Sequence, residues 1–389
     1  MPISLQLQRT FLQRLLLLWL LLPGSTLAGM RTVKIAAGIS IFALVTSAAI
    51  SPAPASDFTE SKMKLVKTFT GGLTPKSVAA SQTGLVSAHN MMYSHSVSIF
   101  DSESMELVKN VRDTVDFASL GISGFSGVHK GSPVEGAYSP DGKYLYFTNY
   151  AMYGEGFKKE GTDKCSPADG YDKSYLSRLD LETLKIDAAY AVGSVPKVVK
   201  VTPDNKYILV SNWCSYTLSV ISVEKEKVIK TIKIGRYPRG IAISADSSYA
   251  YVVEMGGSNI HRIDLTDFSK TLIPIGVNPR AVELSPDNKT LYATLNVSGR
   301  VISWDLEANH AIKSVKTGAT ARSLAISGDG SALFVVNFTS GTVTKLRSSD
   351  LSKVQRIKVC KEPIGITYDN ESNRTWVACY EGSVKVFQN

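Results

Sequence analysis

The chain of 389 residues holds four cysteines, five histidines and 9% aromatic residues. So few cysteines exclude a small disulfide scaffold. None of them forms a Cys-x-x-Cys pair, which argues against zinc, and without Cys-x-x-Cys-His there is no ordinary c-type haem attachment. No Gly-x-Ser-x-Gly elbow, His-Glu-x-x-His pair or phosphate-binding glycine loop occurs, so no linear motif supports an enzyme or calls for a cofactor. Charge of one sign is also scarce. The net charge is +9, and residues 1 to 55 contribute Arg9, Arg14, Arg31 and Lys34 with no Asp or Glu, leaving +5 for the remainder. That surplus gives little support to nucleic-acid binding. With 44% hydrophobic and 20% charged residues, the chain is neither disordered nor short of core material.

Residues 1 to 55 read as two export signals in tandem. Arg9 and Arg14 precede the apolar run Leu15 to Leu22, with Thr26 and Ala28 before Gly29. Met30, Arg31 and Lys34 precede Ile35 to Ile50, and Ala53-Pro54-Ala55 supplies a small-x-small site. The second signal is complete alone, so translation is expected to start at Met30 and cleavage to follow Ala55. Two membrane spans are the alternative, but the first run is too short and the second is marginal for a hydrocarbon core of about 30 Å. The expected product is exported, periplasmic or at the cell surface, without a membrane span, and monomeric. Residues 56 to 63 read as a linker.

A repeat organises the rest. Proline recurs at Pro75, Pro133, Pro196, Pro238, Pro279 and Pro363, with Ala321 in phase, and the last four steps are 42, 41, 42 and 42 residues. Glycine stands three residues earlier at Gly72, Gly193, Gly235, Gly276 and Gly318. Six residues after an anchor comes a turn, such as Ser139-Pro140-Asp141-Gly142 or Ser285-Pro286-Asp287-Asn288. These residues supply the fixed φ and the side-chain-to-backbone hydrogen bonds of a tight turn. Runs of β-branched and aromatic residues between the turns give four antiparallel strands per unit, the signature of a propeller blade.

Seven anchors predict an all-β, seven-bladed β-propeller over residues 64 to 389. The third strand of the last blade ends near Asn389, while Lys64 to Thr70 resembles a fourth strand in pattern. The N-terminal strand is therefore expected to close the last blade by pairing with Ser383 to Phe387, removing an open edge. The pattern Gly-x-x-Pro, Ser-Pro-Asp-Gly, Leu-Tyr-(Val/Phe)-x-Asn, clearest in Gly131 to Asn149, Gly193 to Val223 and Gly276 to Asp305, resembles the YVTN repeat of exported bacterial and archaeal β-propellers. Departures are Glu254, Leu295 and Cys379 at the Asn position and Ala321 at the Pro position. The resemblance implies a compartment better than an activity.

Two longer steps mark insertions at 108–132 and 151–175, both assigned to the face that carries the blade-to-blade connections, here called the top. Loops of this length are often functional. Tyr150, Tyr153, Tyr171 and Tyr175 lie in or beside the second, where rings and nearby lysines suit a sugar, an aromatic ligand or a protein partner, or simply pack the loop. The residue after the anchor is basic in five blades: Lys76, Lys197, Arg239, Arg280 and Arg322. Identical phase predicts a ring at one height around the channel mouth, attracting an acidic ligand or partner. The competing reading is structural, with the side chains tying blades together.

Cys165 with Cys214, and Cys360 with Cys379, are the favoured disulfide pairs in an oxidising compartment. His89, His95 and His129 fall in top-face segments of the first two blades and are weak metal candidates. The leading expectation is a non-enzymatic binding propeller. The alternative is a lactonase-type hydrolase with Glu135 as its acid or base and the top-face histidines around a metal.

Overall fold

Short runs of β-branched residues punctuated by Ser/Thr-x-Asp turns become twenty-nine strands in the computed structural model, which describes residues 60–389. The export-like segments and the first part of the linker lie outside the described residues. The turns explain the strand starts. Ser139 Oγ contacts Asp141 Oδ1 at 2.5 Å and accepts the Tyr144 N–H at 3.0 Å, while Asp141 Oδ1 accepts the Lys143 N–H at 3.1 Å. Ser244, Ser285 and Ser327 repeat the arrangement in later blades.

Seven antiparallel sheets form the blades. Their inner strands are Pro75–Ala80, Val128–Tyr138, Pro196–Val201, Pro238–Ile243, Pro279–Leu284, Ala321–Ile326 and Pro363–Asp369. In blade seven the strands Pro363–Asp369, Arg374–Cys379 and Ser383–Gln388 are completed by Lys64–Phe69, in register from Lys64↔Gln388 to Phe69↔Val384. The expected closure is thus present. The short segment before it is more than a linker. Met63 is buried, its N–H donates to Gln355 Oε1 at 2.8 Å, and Lys345 Nζ donates to the Ser61 carbonyl at 2.9 Å. An apolar side chain at 63 inserts beside Phe334 and Val336, which anchors residues 60–63 to blade six.

The core sits between blades. Val199, Ile208 and Val210 of blade three pack on Tyr146 and Leu176 of blade two, each buried aliphatic contributing about 1.5–3 kcal/mol relative to exposure. Fourth strands such as Lys227–Lys233 are mostly exposed. Inner strands approach closely: a Cβ on Gly240 would meet the Arg280 carbonyl oxygen at 2.7 Å, so glycine is required there.

Blade two is enlarged. Its inner and second strands, Val128–Tyr138 and Tyr144–Tyr153, outgrow those of the other blades, and Thr114–Asp116 adds a fifth strand beside the inner one. The expected insertion 108–132 begins later than its spacing suggests. Leu107–Arg112 is the fourth strand of blade one, its backbone paired to Ser96–Asp101, so the added chain starts at Asp113. In the second insertion, residues 154–174 connect two strands and contain a short 3-10 turn, Pro167–Asp169. The insertions meet in an aromatic core, with Phe117 and Tyr175 centroids 4.3 Å apart and Phe125 stacked on Phe157 at 5.3 Å. Among the described residues no helix is long and apolar enough to cross a membrane.

Candidate functional site at the channel mouth

The anchor phase has a backbone cause. The residue before the anchor lies in the left-handed region in five blades: Val195 (φ 53), Tyr237 (φ 60), Asn278 (φ 53), Thr320 (φ 60) and Glu362 (φ 55). This conformation costs a side-chain-bearing residue about 1–2 kcal/mol. Its return is a carbonyl turned to accept an N–H from the end of the second strand, as Val195 does from Trp213 and Asn278 from Asn296. Every inner strand so held starts at the same level, and the side chain after the anchor is presented at that level.

The five cations do converge, but inside the mouth. Lys197, Arg239 and Arg280 are 3%, 6% and 6% exposed, and Lys76 and Arg322 are half-buried. Their partners are few. Lys197 Nζ lies 3.2 Å from Asp163 Oδ1, and Arg239 Nη2 lies 3.5 Å from Glu135 Oε1. Aromatic faces support the others: Lys76 Nζ is 5.0 Å from the Tyr380 centroid, and the Arg322 guanidinium 3.6 Å from Phe338. Lys197 Nζ also sits 4.2 Å from Tyr150 and 5.3 Å from Trp213. Arg322 Nε is buried with no acceptor. Among the described residues Arg280 has neither an ion pair nor a side-chain hydrogen bond.

Burial, followed by repulsion within the group, depresses the proton affinity of the ring. Lys197 falls to about 7 and Arg322 to about 10. Lys76 and Arg280 also lie well below their ordinary values, with Arg280 opposed chiefly by Arg239 and Arg322 after desolvation. Glu135 is pushed up by burial against the pull of Arg239, Arg280 and Lys76. Burial would raise Asp163 too, but Lys197, Lys76 and Arg239 hold it below the usual carboxylate range. Two carboxylates therefore face five cations.

The ring separates two cavities. The upper one, about 440 Å³, is lined by Lys76, Lys197, Tyr150, Tyr153, Glu160 and Asp163, with His95 and Tyr380 alongside. The lower, about 690 Å³, runs down the channel past Arg239, Arg280, Arg322 and Glu135 to the Lys200–Glu283 pair, whose charged atoms are 3.9 Å apart.

The tyrosines divide. Tyr150 and Tyr153 line the upper cavity, where Tyr153 donates to Glu160 Oε1 at 2.9 Å and meets His95 edge-on at 5.5 Å. Tyr171 packs by the Cys165–Cys214 disulfide with Lys159 Nζ 5.1 Å from its ring, and Tyr175 belongs to the insertions' aromatic core. The histidines also part company. His89 is buried with Nδ1 2.9 Å from Ser77 Oγ, and burial lowers it to about 3. His129 sits in the aromatic core with Nε2 2.8 Å from the Glu155 carbonyl, and His95 Nδ1 lies 2.8 Å from the Gly131 carbonyl. Among the described residues, the cluster of metal-ligating types is Cys360, Cys379 and Glu381, whose thiols are bonded to each other. Both expected disulfides are formed, with Cα separations of 5.4 Å for Cys165–Cys214 and 6.2 Å for Cys360–Cys379.

Sequence reasoning missed Asp163 and Glu160, which hang from the second insertion over the ring; only their proximity to Cys165 hinted at it. It also missed Asp113. Both oxygens of this buried carboxyl and Oδ1 of Asn149 lack a partner, and a Cβ on Gly131 would overlap the two side chains. Thr317 holds the equivalent place in blade six: its N–H donates to the Gly299 carbonyl as that of Asp113 does to His95, and its hydroxyl donates to Asn337 Oδ1 at 2.7 Å. Burial pushes Asp113 up to about 8, which favours the neutral carboxyl at neutral pH, the form able to donate where Thr317 uses its hydroxyl.

Comparison with known proteins agrees with the architecture. Residues 168–249 match the model of a YNCE-like beta-propeller family. Antigen Lp49 of Leptospira interrogans is 29% identical over 167 residues, which cover 40% of this chain and 36% of that protein, so the chain spans about a third of the curated relative's length. Hydrazine synthase of Kuenenia stuttgartiensis matches in fold with a TM-score of 0.65 at 17% identity, covering 82% of this chain and 97% of that one. The repeat, the seven-bladed fold and the matching family model together support a YVTN-type β-propeller.

Proposed function

We propose that the chain is an exported, non-enzymatic β-propeller that holds an acidic ligand, or an acidic side chain of a partner, against the five-cation ring. The observation that carries this is Arg280, a buried guanidinium beside Arg239 and Arg322 that makes no ion pair and feels Glu135 and Asp163 only from beyond contact distance. An isolated buried charge costs several kcal/mol; an anion arriving from solvent removes that cost. Two disulfides and the tandem signals support export, with translation from Met30 and a mature start at Ser56, and so does the similarity to a Leptospira protein named as an antigen. Periplasm and cell surface are both compatible with these features, as is a monomer. The lactonase alternative gains no support, since Glu135 is turned to Arg239 and His89, His95 and His129 do not meet.

Calorimetric titration with inorganic phosphate and small carboxylates at low and physiological salt tests the reading. Binding that weakens as salt rises, and weakens further in Arg280→Gln, supports it. Equal heats in both proteins, or none in either, overturn it.

A further inference from the structure

The upper cavity narrows the class of ligand, in an inference that rests on the anion-binding reading above. From the ring upward, the lining changes sign. At its floor stand Lys76 and Lys197, with the guanidiniums of Arg239, Arg280 and Arg322 directly beyond. On its wall stand Glu160 and Asp163, both exposed, Glu160 accepting from Tyr153 and Asp163 accepting from Lys197 with the Tyr150 hydroxyl also turned to it. Asp163 also shows what the ring accepts: this carboxylate lies close enough to act electrostatically on Lys197, Lys76, Arg239, Arg280 and Arg322.

Two carboxylates above a cationic floor discriminate. A second anionic group on the ligand, as in a dicarboxylate or an acidic peptide, would stand against Glu160 and Asp163 and be repelled. A body bearing hydroxyls would instead donate to their remaining oxygens in charge-assisted hydrogen bonds. The Tyr153 and Ser132 hydroxyls add polar groups at the same level, and the space of about 440 Å³ is that of a small-molecule site. Planar guanidiniums favour a planar carboxylate at the anionic end.

We infer that the ligand is a sugar acid: a polyhydroxylated body carrying one carboxylate, which rests on the ring while the hydroxyls face Glu160 and Asp163.

The test titrates the chain with galacturonate, galactose, succinate and inorganic phosphate, and repeats the series with Glu160→Gln and Arg280→Gln. Galacturonate should bind at least about ten-fold tighter than succinate or phosphate, a difference of about 1.4 kcal/mol, and galactose should not bind measurably. Arg280→Gln should weaken galacturonate; Glu160→Gln should erase most of its advantage over succinate while leaving the fold unchanged, since Glu160 is exposed. Succinate or phosphate binding as tightly as galacturonate would overturn the sugar-acid inference and leave anion binding standing. Galactose binding as well as galacturonate would overturn it too, by removing the carboxylate. Silence from all four probes would overturn both readings.

Discussion

Glu135 Oε1 and Arg239 Nη2 face each other at 3.5 Å from blades two and four, the ion pair that an inner strand provides for an arginine of the ring among the described residues. Arg280, one blade further on, makes no ion pair and feels Glu135 only at longer range. The difference between these neighbours decides what the ring does to stability as well as to binding.

Replacing Arg280 with Gln should raise the melting temperature. A structural cation loses hydrogen bonds when neutralised and destabilises by about 1–3 kcal/mol per orphaned partner. Arg280 has no such partner to orphan, and its removal relieves repulsion on Arg239 and Arg322. An increase of a few degrees by calorimetry is expected; the Glu135→Gln variant, which strips Arg239 of its counter-ion, should shift the melt the other way.

Anion affinity should fall as pH rises through about 7, where Lys197 loses its proton in the unliganded protein. A bound anion favours the ammonium form, so binding takes up protons near that pH. Titrations in two buffers of different ionisation enthalpy would report the uptake directly. Lys197→Gln should abolish that uptake.

Asp113 gives folding stability its own pH dependence. Its carboxyl is held up at about 8 in the folded chain, against about 3.9 unfolded. Between those values the unfolded chain binds fewer protons, so this group's contribution falls as pH rises, by up to about 1.4 kcal/mol per unit. His89 acts oppositely: lowered to about 3, it withdraws stability as pH falls below about 6.5. The comparison of wild type with Asp113→Asn isolates the first effect. In urea unfolding the Asn variant, whose amide can donate to Asn149 without a charge, should gain on wild type steadily from acid to mildly alkaline pH.

The Cys165–Cys214 disulfide should matter to binding through Asp163. The loop carrying Asp163 is fixed by this bond, by Trp213 Nε1 donating to the Asp163 carbonyl at 3.1 Å, and by Tyr216 donating to the Cys165 carbonyl at 2.7 Å. Replacing both cysteines with serine should destabilise the chain by about 2–4 kcal/mol. It should also loosen the carboxylate wall, lowering discrimination between galacturonate and succinate more than affinity for either.

How much of this could be read from the chain itself follows a physical divide. Anchors from Pro75 to Pro363 and their Asp turns are local chemistry repeated in phase, so blade count, closure by Lys64–Phe69 and both disulfides were legible. Phase also placed Lys76, Lys197, Arg239, Arg280 and Arg322 at one level. It carried no information about depth, because burial depends on channel radius and on what hangs above. Asp163 and Glu160 belong to the aperiodic insertion, and their position comes from an aromatic core and a disulfide that no repeat encodes. Asp113 escaped for a related reason: its analogy with Thr317 is one of backbone hydrogen bonding, and the two sequences around them do not resemble each other.

The pairing of Lys64–Phe69 with Ser383–Gln388 joins the first strand of the propeller to its last. During synthesis the early strand has no mate until more than three hundred residues have followed it, so blade seven cannot be completed while the chain is still growing. Loop closure over such a span costs little more than closure over a short one, since the entropy grows only logarithmically with length, but it makes the final step slow. Blades one to six can assemble in order as they emerge, and the propeller gains its cooperativity at once, when its first and last strands meet. Joining those strands and opening the chain elsewhere, between blades three and four for example, would exchange one late event for a different one and leave the finished ring unchanged.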